Sequence, residues 1–174
     1  MYRRVFAVAV LTAVLTAATP SAAQAQSQRA VVRAPVVMFI WTWRQQITIT
    51  HDESDNDQPF PTQRWFVGGT ARQGMTVTFE TDGAFAHISD PSAKRDAELE
   101  LDLGWELGSG EGTVTTPVNR SNYAAGNEIA RVTAQSDGAA LARFDLRVRF
   151  ITESFGTFPG GTYSTTVVGT ITEN

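Results

Sequence analysis

Between Ala97 and Leu107 apolar and charged residues alternate one by one. Leu99, Leu101, Leu103, Trp105 and Leu107 share one face; Glu98, Glu100, Asp102 and Glu106 share the other. A period of two marks a strand buried on one side. The stretch Ala140–Phe150 follows the same rule, with Ala142, Phe144, Leu146, Val148 and Phe150 opposed to Arg143, Asp145, Arg147 and Arg149. After residue 25 no stretch keeps apolar residues at helical spacing for three turns. Strand patterns recur near Val31–Trp43, Gln45–His51, Arg64–Val67, Met75–Thr81, Ala84–Ser89, Ala97–Leu107, Gly112–Thr116, Glu128–Ala134, Ala140–Thr152 and Thr162–Thr172, some of them short or merging. Seven or eight strands at this spacing predict an all-β fold, an immunoglobulin-like or jelly-roll antiparallel β-sandwich. Leu99, Leu101, Leu103, Trp105, Phe144, Leu146, Val148 and Tyr163 are expected to point inward.

Two Asp-Gly turns, Thr81–Ala84 and Ser136–Ala139, sit between alternating runs and predict hairpins. In the second, a three-residue loop opposes Phe144 with Ala130 and Ala142 with Val132, which keeps one apolar face and asks for Gly138 in the left-handed conformation with a bulge. In the first, a two-residue loop groups Phe79 with Ala84, Ala86 and Ile88, whereas a three-residue loop pairs Phe79 with Phe85 and turns His87 inward. From Val36 to Trp43 the chain is apolar on both faces except at Thr42, so that strand is buried on both sides or covered by something else.

The N-terminus reads differently. Arg3 and Arg4 precede an apolar run from Val5 to Ala18, and small residues then offer cleavage after Ala25 or, second, Ala23. This is the pattern of a secretory signal peptide; the run is too short to span a bilayer, and no later stretch is apolar enough. The expected organisation is a signal peptide at 1–25, an N-terminal arm at 26–37 and one domain at 38–174. Such a protein is secreted, and resides outside the cell, at the cell surface or in the periplasm. Losing Arg3 and Arg4 takes the net charge from −4 to −6. That acidity disfavours nucleic acid as a partner. With no Cys, neither a disulfide framework nor a thiol nucleophile is available.

Candidate chemistry is sparse. In His51–Pro59, Asp52, Ser54 and Asn56 have the 1-3-5 oxygen spacing of a calcium loop, but Asp57 stands where Gly should turn the chain and Gln63 where a bidentate Glu should be. A solvated acidic loop accounts for the same residues. His51 and His87 are the only imidazoles, no G-x-S-x-G elbow exists, and the carboxylates at 98, 100, 102 and 106 are explained by an exposed strand face. No enzymatic activity and no cofactor are expected. Trp41 and Trp43, with Trp65 and Trp105, offer rings for a sugar platform, the mark of a secreted carbohydrate-binding module.

The chain ends on an alternating strand. Gly161, Tyr163, Thr165, Val167, Thr170 and Ile171 resemble the final strand of bacterial pilin subunits of the chaperone–usher kind, and of related spore-coat and surface domains. The resemblance implies a cell-surface structural subunit that assembles by strand exchange, a form of β-augmentation. It implies an apolar arm at Val31, Val32, Ala34 and Val36 that docks on a terminal strand carrying Tyr163, Val167, Gly169 and Ile171. The implied partner is another copy of the chain or another surface protein.

Overall fold

Every second side chain from Ala140 to Phe150 is buried, and the strand they form is the axis of the larger of two facing sheets. The computed structural model describes residues 35–174. The expected signal peptide, and Val31, Val32 and Ala34 of the expected arm, lie outside the described residues. In chain order the strands are β1 (Met38–Thr42), β2 (Gln58–Pro59), β3 (Gln63–Gly69), β4 (Met75–Thr81), β5 (Phe85–His87), β6 (Lys94–Arg95) and β7 (Ala97–Gly108). They continue with β8 (Gly112–Thr116), β9 (Val118–Arg120), β10 (Arg131–Ser136), β11 (Ala140–Phe150), β12 (Tyr163–Ser164) and β13 (Val167–Glu173).

The fold is an antiparallel all-β sandwich. One sheet runs β1-β3-β11-β7-β9, with β2 beside β11 where β3 has ended. The second runs β13-β4-β10-β8, and a small third sheet, β12-β5-β6, lies apart from both ladders. Leu99, Leu101, Phe144 and Leu146 of the first sheet share one core with Val77, Phe79 and Val132 of the second. The Phe79 ring sits 5.1 Å from Trp65 and 6.1 Å from Phe144, so aromatic rings bridge the layers.

Neither Asp-Gly turn closes a hairpin. β10 pairs with β4 and β8, and β11 with β3 and β7, so Val132 and Phe144 meet across the sandwich rather than side by side. β4 likewise does not pair with β5. From β7 to β11 each strand lies in the sheet opposite its predecessor. Both arrangements keep one apolar face inward, so burial alone could not choose between them. Third segments decide. Asp137 Oδ1 accepts the Glu111 N–H at 2.6 Å, and a Cβ on Gly110 would lie within 2.7 Å of the Gly138 backbone, so the turn is docked on the β7–β8 loop. Gly138 has no positive φ. Asp82 Oδ1 accepts from the Thr166 N–H at 2.9 Å, which ties the other turn to the start of β13.

Two further expectations are corrected. Gln45–His51 forms no strand: β1 pairs Thr42 with Trp65, and β3 begins at Gln63, so no partner remains beyond residue 44. Trp105 points outward and Leu103 is only half-buried. On β11, Phe144 faces Leu103 but Arg143 faces Trp105, so Gly104 is an extra residue, a β-bulge that reverses the faces of the rest of β7. The remaining inward expectations hold for Leu99, Leu101, Phe144, Leu146 and Val148, and Tyr163 packs half-buried against the core.

Candidate interaction surfaces

The outer face of the first sheet is built in rows by the strand register. Phe39, Gly68, Leu141 and Leu107 form one row; Trp41, Phe66, Arg143 and Trp105 form the next. Beyond them come Arg64, Asp145 and Asp102, then Arg147 and Glu100, then Arg149, Glu98 and Arg120. The face therefore has two halves.

The charged half is an ion-pair ladder. Arg147 reaches Glu100 at 2.6 Å and Asp102 at 2.7 Å; Arg149 reaches Glu98 at 2.7 Å and Glu100 at 3.0 Å. Cross-strand opposite charges of this kind hold register more than they add stability. Glu98, Glu100 and Asp102 of β7 thus have guanidinium partners and do not converge on a cleft.

The other half is aromatic. Trp41 stacks on Phe66 at 4.9 Å with 19° between planes, Trp43 meets Trp41 edge-on at 4.4 Å and 69°, and Trp105 approaches Phe66 at 6.4 Å. Trp43 is 73% exposed and Leu107 70%. The bulge creates this half by turning Trp105 and Leu107 outward, which strict alternation could not reveal. Trp65 is not part of it; it faces the core, and its buried Nε1 has no partner. The sugar-platform candidates Trp41 and Trp43 are close together but not coplanar.

The terminal strand β13 pairs with β4 alone among the described residues, and β1 with β3 alone. These two sheet edges lie on the same flank. Gly169 permits their approach: a Cβ there would fall 2.7 Å from Ile40 Cδ1 and 3.2 Å from Phe79 and Trp65. Val167, Gly169 and Ile171 are half-buried toward the core, and Val168 points out. Tyr163 lies farther along, its hydroxyl donating to the Pro159 carbonyl at 3.0 Å and its ring against Phe150 and Phe158; burial pushes its pKa up. Val36 is exposed, while Val37 is bonded to its own domain through Thr70.

The acidic loop is closed on itself. Asp52 Oδ1 accepts from the Ser54 N–H, the Ser54 hydroxyl at 2.6 Å and Gln58 Nε2 at 2.7 Å. The Ser54 hydroxyl, first of these, holds the Asp52 carboxyl below its usual range. The Asn56 carbonyl accepts from Gln58 and Thr152. Oxygens with calcium-loop spacing are thus spent on Asx-type turns, and no group of three or more ligating side chains occurs among the described residues.

His51 stands beside this loop with its Nε2 3.0 Å from the Thr152 hydroxyl. Its Nδ1 accepts the Glu53 N–H, and Thr152 Oγ1 donates to Asn56. That assigns the Nε2–H tautomer, in which the ring donates to the hydroxyl and does not draw its proton. Nearby, Arg95 is buried and donates to the Ile151 and Thr152 carbonyls, while buried Asp96 accepts from Ser121 and the Tyr123 N–H. Both ions are held by backbone and hydroxyl groups, with Glu153 beside Arg95 and Arg120 beside Asp96, and fix the loops at this end. No known protein-family model matches the chain, and no curated protein sequence matches it.

Proposed function

We propose that the protein is a secreted structural subunit of the cell surface that assembles with other copies of itself through its sheet edges. The observation that carries this is the position of β13, a seven-residue strand at the margin of its sheet whose ladder has, among the described residues, one partner, β4. An edge of that length is a template for another strand. β-Augmentation at this margin leaves the core intact, because Ile40 already covers the flank over Gly169. The pilin-like terminal pattern and the secretory N-terminal pattern support the same reading, with the apolar segment from Ser27 to Ala34 as the strand supplied to a neighbour. The carbohydrate-binding alternative is weakened by the 69° angle between Trp41 and Trp43.

The test is sedimentation velocity and negative-stain microscopy of the secreted protein at two concentrations. Concentration-dependent assembly into higher oligomers is expected, and deleting Ser27–Ala34 abolishes those higher oligomers. Proline placed in turn at Val167 and Val168 removes a donor from the β4 ladder in one case and from the free edge in the other. The variant that keeps its thermal transition is expected to lose assembly. A full-length secreted chain that stays monomeric at every concentration overturns the proposal.

A further inference from the structure

The aromatic half of the outer face calls for an occupant of its own. Phe39, Trp41, Trp43, Trp105 and Leu107 are each between 38% and 73% exposed. Together they leave on the order of 600 Å² of apolar surface, taking about 150–250 Å² for each aromatic side chain. This is at the upper limit of the largest patch on an ordinary monomer, about 300–600 Å². It also supplies most of the roughly 800 Å² per partner that a standard stable interface buries. The patch is continuous, since Phe39 and Leu141 close over Gly68 and the rings of Trp41, Phe66 and Trp105 run across three strands.

Charge narrows the occupant. The chain as a whole is acidic, so two copies repel at long range. On this face, however, the five residues Arg64, Arg120, Arg143, Arg147 and Arg149 exceed Glu98, Glu100, Asp102 and Asp145 by one charge, and most of them are already paired. An apolar centre beside a nearly neutral, largely paired rim meets a second copy of itself with little electrostatic penalty. We propose that this face is a two-fold, self-complementary interface, in which the aromatic field of one copy packs on that of another and the ion-pair ladders form the rim. It lies on the other sheet from β13 and does not depend on pairing at that edge.

The experiment uses the full secreted chain. Trp43→Glu combined with Leu107→Glu places charge at two of the most exposed positions, where folding has little at stake. Sedimentation equilibrium is expected to show a dimer in the parent and a dissociation constant raised about 100-fold or more in the double variant. Acrylamide quenching of tryptophan is expected to rise as the parent is diluted. The edge-proline variant at β13 should keep this dimer while losing higher assembly. A dimer untouched by the double variant overturns the inference. So does a parent that is monomeric with Trp43 open to quencher, or one that retains soluble polysaccharide through Trp43 as a monomer.

Discussion

Leu101 and Glu100 are neighbours in β7 that face opposite ways, and replacing each by Ala separates the core from the ladder. Leu101 is 1% exposed and lies opposite Leu146, which is fully buried. Truncation removes three buried carbons and leaves a cavity between sheets that are fixed by their own ladders. The expected loss is about 3 kcal/mol, within the usual range of about 2–5. Glu100 accepts from Arg147 and Arg149, but Arg147 keeps Asp102 at 2.7 Å and Arg149 keeps Glu98 at 2.7 Å. Neither guanidinium is stranded, so Glu100→Ala should cost about 1 kcal/mol or less. Urea denaturation followed by tryptophan fluorescence measures both, and a fall in Tm of about 10 °C is expected for Leu101→Ala. In roughly 1 M salt the Glu100 effect should shrink while the Leu101 effect stays. Equal losses, or a Leu101 effect that salt removes, would refute the assignment of the two faces.

Gly169→Val drives a branched side chain against Ile40, Phe79 and Trp65, and should cost about 1–3 kcal/mol by overpacking; Val168→Thr on the outward face, read by the same melting curves, should cost far less. Asp52→Ala should lower Tm at neutral pH by opening the Ser54 and Gln58 bonds. Because the folded-state pKa of Asp52 is depressed, its contribution is full above the ordinary aspartate range and fades as pH falls through the folded value. The Tm difference between parent and variant should therefore narrow as pH is lowered below the ordinary aspartate range.

Alternation located the strands well. Met75–Thr81 and Gly112–Thr116 have the residue bounds that their patterns predict, and β11 carries its burial without interruption. What alternation lacks is any record of the partner. A strand buried on one face satisfies its pattern equally beside its neighbour in sequence or across the sandwich from it. The Asp-Gly turns therefore pointed to hairpins that do not exist, because the groups that hold them, Glu111 and Thr166, are distant in sequence. The calcium-like spacing at Asp52, Ser54 and Asn56 is legible for a related reason. The same short polar side chains that ligate cations also cap their own backbone, and spacing alone does not distinguish the two uses.

The outer face depends on one β-bulge. Were Gly104 paired in register instead of bulged, β7 would carry Trp105 and Leu107 inward, and the acidic comb of Glu98, Glu100 and Asp102 would continue through Glu106. Glycine suits the position because Arg143 lies across it: a Cβ would come within 2.7 Å of the guanidinium Nε. The bulge turns Glu106 toward the second sheet, where Oε2 accepts the Gly112 N–H at 2.8 Å and Oε1 is left without a partner. A buried carboxylate oxygen with no donor costs stability, on the order of 1–3 kcal/mol or more. The fold carries that cost together with two large apolar side chains set in solvent. Both unfavourable features come from the bulge at one residue. A surface that is expensive for the isolated domain points to something gained when it is covered.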